Sequence, residues 1–306
     1  MTSLPKSTYL RVLDNRRRDS ARYRPDYPLV FFIFLSRFSF GVSIISGILQ
    51  ISGHLRETLV VNTVASLGSL LLAIAISLTH LGAPKGLMGM LRNIRSRLTW
   101  EIGLSGILLL ILVVDLVLLS QDISWGTGLI GAMGWIMIVI ALSALISSAL
   151  AYRFSTHPSW NTNLLPVIYL FSGLIVGLSF TCVAAQVLEG TSSFQGPRTT
   201  PFILGLLILA QLSVGYGYIR YLKGFLHRTV HDLLRGKSST LFWTYMSLYF
   251  ILPLLIILRA LFRGGLEFFP SITLTVLLLF GAYLERILFF SVEKPIYFFY
   301  YVGERS

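Results

Sequence analysis

The chain has few cysteines and few charged residues, and each shortage excludes a class of structure. Its one cysteine, Cys182, forms no internal disulfide and supplies too few thiolates for an iron–sulfur cluster. Charged residues make up 12% of the 306 residues, whereas soluble globular domains contain about 25%. No polar stretch is long enough to bury a core of its own, so the sequence predicts no separate soluble domain.

Histidines are also few, and their positions argue against a bound haem or metal ion. The five are His54, His80, His157, His227 and His231. All lie at the ends of apolar segments or in polar connections, whereas haem in a helix bundle needs axial histidines inside facing helices. The sequence also has no Gly-rich phosphate loop and no sign of a Ser-His-Asp triad. If the chain handles electrons, the carrier must be a membrane-soluble cofactor and the acceptor another subunit.

Apolar residues are abundant and come in long blocks. They make up 55% of the chain, the mean hydropathy is +0.76, and the blocks reach the roughly 20 residues that a membrane-spanning helix needs. The sequence therefore predicts an all-α bundle of eight transmembrane helices in segment 28–292, after a basic polar arm (1–27) and before a short aromatic tail (293–306). The predicted spans are 29–51, 59–80, 99–120, 126–152, 163–188, 201–222, 240–262 and 268–292.

Positive charge is distributed unevenly between the connections. The formal net charge is +12, and most Lys and Arg residues lie in the N-terminal arm and in the second, fourth and sixth loops. The positive-inside rule places those loops and both termini in the cytoplasm. The excess of basic residues is better explained as charge in the loops that sets the membrane topology than as a surface that binds nucleic acid.

Several ionisable residues are predicted to collect near one membrane face. They are His80 at the end of span two, Glu101 at the start of span three, Arg153 after span four, Glu285 and Arg286 near the end of span eight, and Arg37 within span one. Such residues are costly in a membrane and indicate a functional site. A ligand that exchanges protons would suit the pair of His80 and Glu101, because histidine titrates near neutral pH.

Each of these residues also has a structural explanation. Arg153 and Arg286 are placed to extend towards the headgroups, Glu101 to interact with a helix N-terminus, and His80 to cap a helix. Arg37 lies about 13 Å into its span at 1.5 Å per residue, so it needs a carboxylate, a carbonyl or a watery pocket. In span five, Gly173 and Gly177 have the spacing of a close helix crossing.

The histidine and glutamate lie in a stretch that resembles a known family. The residues are His80-Leu81-Gly82-Ala83-Pro84, Leu91-Arg92-Asn93 and Trp100-Glu101-Ile102. They are similar to the His-Leu-Gly-x-Pro motif, the Arg/Asn connection and the next span entry of the membrane anchor subunit of dimethyl sulfoxide reductase. Two later segments resemble the same family, namely Tyr152-Arg153 with Pro158-Ser159-Trp160-Asn161-Thr162, and Gly281 with Arg286-Ile287-Leu288-Phe289-Phe290. Ala282 replaces the family's span-eight glutamate, with Glu285 three positions later, and Arg37 matches no motif.

The resemblance implies a plasma-membrane subunit of a prokaryotic respiratory complex. Such an anchor does not convert the terminal substrate but binds and oxidises menaquinol, and it passes electrons to a four-cluster iron–sulfur subunit and on to a molybdopterin catalytic subunit. By the same resemblance His80 and Glu101 form the quinol site. Arg37 or Arg286 is placed to polarise the quinone oxygen or to hold Glu101 ionised. Basic loop 85–97 would dock the iron–sulfur subunit.

Two other functions remain open from the sequence. An anchor of a sulfur, polysulfide or tetrathionate reductase would have the same features with either direction of electron flow, because another chain selects the substrate. A small-solute transporter could use Arg37 and Asp115 along its path. The sequence shows neither the inverted repeat nor the pair of broken helices that many transporters have.

Overall fold

The computed structural model describes residues 27–53, 56–80, 96–121, 127–153, 159–188, 199–236 and 238–291. These residues are helical apart from short connections, and none of them forms a strand. Residues 1–26 of the predicted arm, the predicted tail and most of the proposed docking loop (81–95) lie outside the described residues.

Eight helical segments of the described chain are long and apolar enough to cross a membrane, so the fold is that of a multi-pass membrane protein. Six of them are α1 (Tyr27–Ser52), α2 (Arg56–His80), α3 (Arg97–Ser120), α4 (Thr127–Ala151), α5 (Leu164–Leu188) and α6 (Thr199–Phe225). The seventh is composite, with α8 (Ser239–Met246), a π-helical turn (Ser247–Ile251) and α9 (Leu252–Arg263), and the eighth is α10 (Phe268–Ser291). The predicted all-α fold with eight spans is confirmed for these residues.

The connection between the sixth and seventh spans differs from its prediction. The stretch with His227 and His231 was expected to be a basic loop, but it forms the short helix α7 (His227–Arg235). Val230 and Leu233 are buried in a cluster with Leu222 of α6. Apolar residues three apart lie on one helix face, so a short amphipathic helix forms although the stretch is rich in charge.

Helix ends follow from local sequence. Proline lies in the first turn of four spans, as Pro28, Pro166, Pro201 and Pro270, where its missing N–H has no intrahelical partner anyway. At the other end of a span, Gly264 ends α9 in the left-handed region with φ of 90°. Glycine adopts this conformation without the steric cost that a side chain brings.

Helices α1, α5 and α10 form the centre of the bundle. In their most apolar stretches 61%, 56% and 56% of the residues are buried, against 22–33% in the other five spans. Helix α1 packs against α2, α4, α5 and α10. Polar groups on these three helices are therefore shielded from lipid by the surrounding spans.

Glycines bring α1 and α5 into close contact. A Cβ atom built on Gly41 would overlap the backbone of Gly173, and one built on Gly177 would overlap the backbone of Gly41. The close crossing predicted from Gly173 and Gly177 is confirmed, and α1 supplies the opposing glycine.

Gly41→Ala is expected to destabilise the protein. The added methyl group meets backbone atoms that no rotamer change can move, so α1 and α5 must separate, at a cost of about 1–3 kcal/mol. Thermal unfolding in detergent would measure the difference. The matched control is Gly106→Ala on α3, where a Cβ meets nothing within 4 Å. Equal melting temperatures for the two variants would contradict the crossing.

The bundle has two ends that differ in their polar groups. At one end of the bundle, which we term the Glu101 end, helices α2, α4 and α6 finish and helices α1, α3 and α5 begin. Here Arg97 Nη1 donates to the carbonyls of Leu150 and Arg153 at the end of α4, at 3.2 and 3.0 Å. The guanidinium of Arg97, the last residue of the predicted docking loop, thus caps a neighbouring helix.

Candidate functional site

A buried group of charged residues joins the three central helices. Arg37 of α1 donates through Nη1 to Glu285 Oε2 of α10 at 3.2 Å and to Ser172 Oγ of α5 at 3.0 Å. Ser172 Oγ also lies 3.0 Å from Glu285 Oε2, and Arg286 Nη2 donates to Glu285 Oε1 at 2.7 Å. We call Arg37, Glu285 and Arg286 the arginine cluster. Glu285 is the carboxylate partner that the depth of Arg37 required.

Tyr169 of α5 connects the two guanidinium groups of the cluster. The Cζ atoms of Arg37 and Arg286 lie over its ring, 3.9 and 4.4 Å from the centroid, where the negative face of the ring attracts both cations. One carboxylate serves two guanidinium groups, so the cluster carries an excess of one positive charge.

The arginine cluster keeps several donors that no described residue satisfies. Nε and Nη2 of Arg37, and Nε and Nη1 of Arg286, are buried without a hydrogen-bond partner in the described chain. Arg286 is 1% exposed, so its side chain does not extend to the headgroups and that alternative is wrong. Buried donors without partners are costly, and they favour a ligand that brings acceptor oxygens.

An apolar cavity of about 190 Å³ adjoins the cluster. It lies between α5, α6, α7, α8 and α10, and its walls include Leu165, Ile168, Leu212, Phe250, Leu288 and Phe289. Glu285 and Arg286 form its charged end. An engineered apolar cavity of about 150 Å³ binds benzene, so this one has room for an aromatic ring. Tyr216 at its edge is 63% exposed, which places the edge at the outer surface of the bundle.

The π-helical turn shapes one wall of this region. Pro253 has no N–H to donate to the carbonyl four residues earlier, at Tyr249, and the turn accommodates this break without ending the span. Phe250 of the turn lines the cavity. Tyr249 packs against Gly281 of α10, and its hydroxyl faces Ser172 without hydrogen-bond geometry.

Glu101 is buried in the bundle and does not line the cavity. It is 1% exposed, and Ser148 of α4 is the polar side chain that faces it. By hydrogen-bond geometry, neither carboxylate oxygen has a partner within the described part of the chain. A buried carboxyl group of this kind costs free energy as an anion, which makes proton uptake favourable.

The structure brings together some of the predicted site residues and leaves others apart. Arg37 and Arg286 meet at the cluster and share a second void of about 10 Å³. Arg153 follows α4 and is half-buried, and it lines neither void in the described structure. His80 is the last residue of α2, and its side chain lies outside the described atoms.

Sequence reasoning missed three contributors to the site. Tyr169 and Ser172 look like ordinary residues of an apolar span, and Gln211 of α6 lines the cavity with an unpartnered Oε1. The spacing of these residues in the sequence did not indicate a site, because each becomes part of the site only through the packing of α5, α6 and α10. The polar side chain of Gln211 in an apolar block was the one visible hint.

The arrangement combines a ring-sized apolar space with charged donors at one end. Such a site can hold an amphiphile with an oxygen-bearing ring. Comparison with protein-family models and with curated proteins finds no match to this chain.

Proposed function

We propose that the protein is the integral membrane anchor of a molybdopterin and iron–sulfur oxidoreductase complex, in which it binds and oxidises menaquinol. The observation that carries the proposal is the apolar cavity that ends on the arginine cluster. A quinol combines an apolar ring with two hydroxyl groups, which matches apolar walls with donors at one end. The edge of the cavity at Tyr216 suits entry from the bilayer.

The excess positive charge gives the cluster a chemical role. A positive charge close to a quinol hydroxyl group favours its deprotonated form, because the anion is stabilised by an opposite charge. A deprotonated quinol loses electrons more readily than a neutral one. We assign the ligand oxygen to the free donors of Arg286, and we assign to Arg37 the positioning of Glu285.

Oxidation of a quinol to a quinone releases two protons and two electrons. Glu285 is a poor proton acceptor because both of its oxygens already accept hydrogen bonds from cations. Proton acceptance is assigned to His80 and Glu101, which lie at the Glu101 end on consecutive helices. The electrons leave for the iron–sulfur subunit, docked on basic loop 85–97, and then for the molybdopterin subunit.

The proposal includes a location and an orientation. The distribution of Lys and Arg favours both termini and the basic loops in the cytoplasm. The resemblance to the anchor family favours the plasma membrane of a prokaryote. The terminal substrate is selected by another chain. An anchor of a sulfur, polysulfide or tetrathionate reductase would therefore use the same residues, with either direction of electron flow.

Gly215→Leu is expected to block the cavity. Gly215 lies on the cavity wall, and a Cβ there meets nothing within 4 Å, so the leucine side chain has space to fill it without moving the backbone. We expect the affinity for a short-chain menaquinone analogue to fall at least about tenfold, or about 1.4 kcal/mol. Quenching of Trp160 fluorescence measures binding, since Trp160 stacks on Phe289 of the cavity wall at 5.1 Å.

Two controls make this titration specific. Gly224→Leu adds the same side chain to the same helix, where a Cβ also meets nothing within 4 Å, and it should leave binding unchanged. Trp160→Phe should remove the quenching signal that belongs to the cavity. Saturable quenching that survives in Gly215→Leu would place the ligand elsewhere.

A further inference from the structure

A second buried carboxyl group lies at the opposite end of the bundle, which we term the Asp115 end. Asp115 of α3 is 2% exposed. Its Oδ1 accepts a hydrogen bond from Gln50 Nε2 of α1 at 2.8 Å, and its Oδ2 accepts one from Thr63 Oγ1 of α2 at 2.8 Å. Three helices therefore meet at a carboxyl group that the quinol site does not use.

No cation balances Asp115 in the described structure. None of the ion pairs found there includes it, and α4 and α5 contribute no charged residue. The charged groups on the neighbouring part of α2 are Glu57, which is exposed, and Arg56, which donates to the carbonyls of Leu119 and Gln121. His54 and Asp122 of the adjoining connections lie outside the described residues. An ion without a counter-charge is costly inside a membrane, so a protonated Asp115 is favoured.

The partners of Asp115 suit both protonation states. The Thr63 hydroxyl can donate to a carboxylate or accept from a carboxylic acid, because its hydrogen rotates. Gln50 Nε2 donates to the other oxygen in either state. Gln50 directs an N–H at Asp115, whereas a metal cation needs several oxygen lone pairs. The geometry thus fits a proton better than a sodium ion.

Hydroxyl groups continue from this site along the seam between α1 and α2. One face of α1 carries Ser36, Ser39, Ser43, Ser46 and Gln50. Ser66 Oγ of α2 lies 2.8 Å from Ser39 Oγ and 2.7 Å from Ser43 Oγ. Ser46 Oγ, between Ser43 and Gln50 in sequence, is buried with no partner among the described residues. Small serines alone would explain close helix packing, but packing does not require an acid at the end of the row.

We propose that Asp115 reversibly binds a proton inside the membrane, and that the serine row extends this site towards the interior of the bundle. The proton is bound as the carboxylic acid, with Thr63 as acceptor, and it is released to leave a carboxylate that accepts from Thr63 and Gln50. No electron or further reactant is involved. This inference does not depend on the assignment of a quinol to the cavity.

Infrared spectroscopy of the full chain in lipid at a series of pH values tests the proposal. A carboxylic acid has a C=O band that is separate from the bands of a carboxylate. We expect the wild type minus Asp115→Asn difference to contain this band, and the band to be replaced by carboxylate bands as the pH rises. Asparagine has nearly the same shape and keeps hydrogen-bonding capacity, and Glu57→Gln at the exposed start of α2 is the control.

Labelling aspartate with ¹³C identifies the band without a substitution, because Asp115 is the one aspartate in the eight described spans. The absence of a carboxylic acid band from labelled protein at every pH at which it stays folded would overturn the proposal and leave Asp115 a permanently ionised structural group. Replacement of the band by carboxylate on addition of Na⁺ at constant pH would overturn it in favour of a sodium site.

Discussion

Glu285→Gln is expected to cost about 3–5 kcal/mol of stability, the range measured when one partner of a buried ion pair is removed. The change leaves the guanidinium groups of Arg37 and Arg286 over the same Tyr169 ring with no carboxylate between them. The excess charge of the cluster rises from one to two, and a neutral amide oxygen compensates neither cation. The yield of folded protein and its thermal unfolding in detergent measure the effect.

Arg37→Met removes a positive charge from the same cluster, whereas Glu285→Gln removes the negative charge. It leaves Glu285 paired one-to-one with Arg286, with Ser172 Oγ still 3.0 Å from the carboxylate. We therefore expect a smaller loss of stability than in Glu285→Gln. Glu267→Gln breaks an exposed pair with Arg263, and it should change stability by about 1 kcal/mol or less. Equal losses in Glu285→Gln and Arg37→Met would show that charge balance does not control the stability of the cluster.

Glu101→Gln or His80→Leu is expected to reduce quinol-dependent turnover of the assembled complex about 10²-fold or more, the range for loss of a general acid or base. Glutamine keeps the size of the buried Glu101 side chain but accepts no proton. Turnover driven by a reduced dye should survive, because the dye delivers electrons directly to the partner subunits. The comparison therefore separates loss of quinol oxidation from loss of assembly.

Glu57→Gln at the exposed start of α2 is the control for this experiment and should retain both activities. Normal quinol oxidation in both Glu101→Gln and His80→Leu would remove these residues from the proposed mechanism. A wild-type chain that is stable and active without partner subunits would contradict the anchor assignment as a whole.

The eight spans could be predicted because a bilayer demands apolar segments of a fixed length. The predicted and observed limits differ by no more than three residues, as at the start of α2, predicted at 59 and observed at Arg56. The hydropathy of a segment does not show where its helix is interrupted inside the span. The π-helical turn before Pro253 was not predicted, although proline in a helix removes a hydrogen bond.

The need of Arg37 for a partner could be predicted, but the identity of that partner could not. Glu285 lies 248 residues away in sequence, and only the packing of α1 against α10 brings the two together. Arg286 near a helix end was compatible with either burial or extension to the headgroups, and the neighbouring helices decide between them. The cavity is formed mostly by apolar residues of five helices and the π-helical turn, so no local motif marks it.

The quinone content of the purified chain tests the central claim most directly. The protein would be isolated in mild detergent from the membranes in which it naturally occurs, and bound quinone would be extracted and counted per chain. We predict close to one menaquinone per wild-type chain, retention in Gly224→Leu and loss in Gly215→Leu. A wild-type chain that carries no quinone, or equal amounts in the two variants, would contradict the assignment of the cavity beside the arginine cluster as a quinol site.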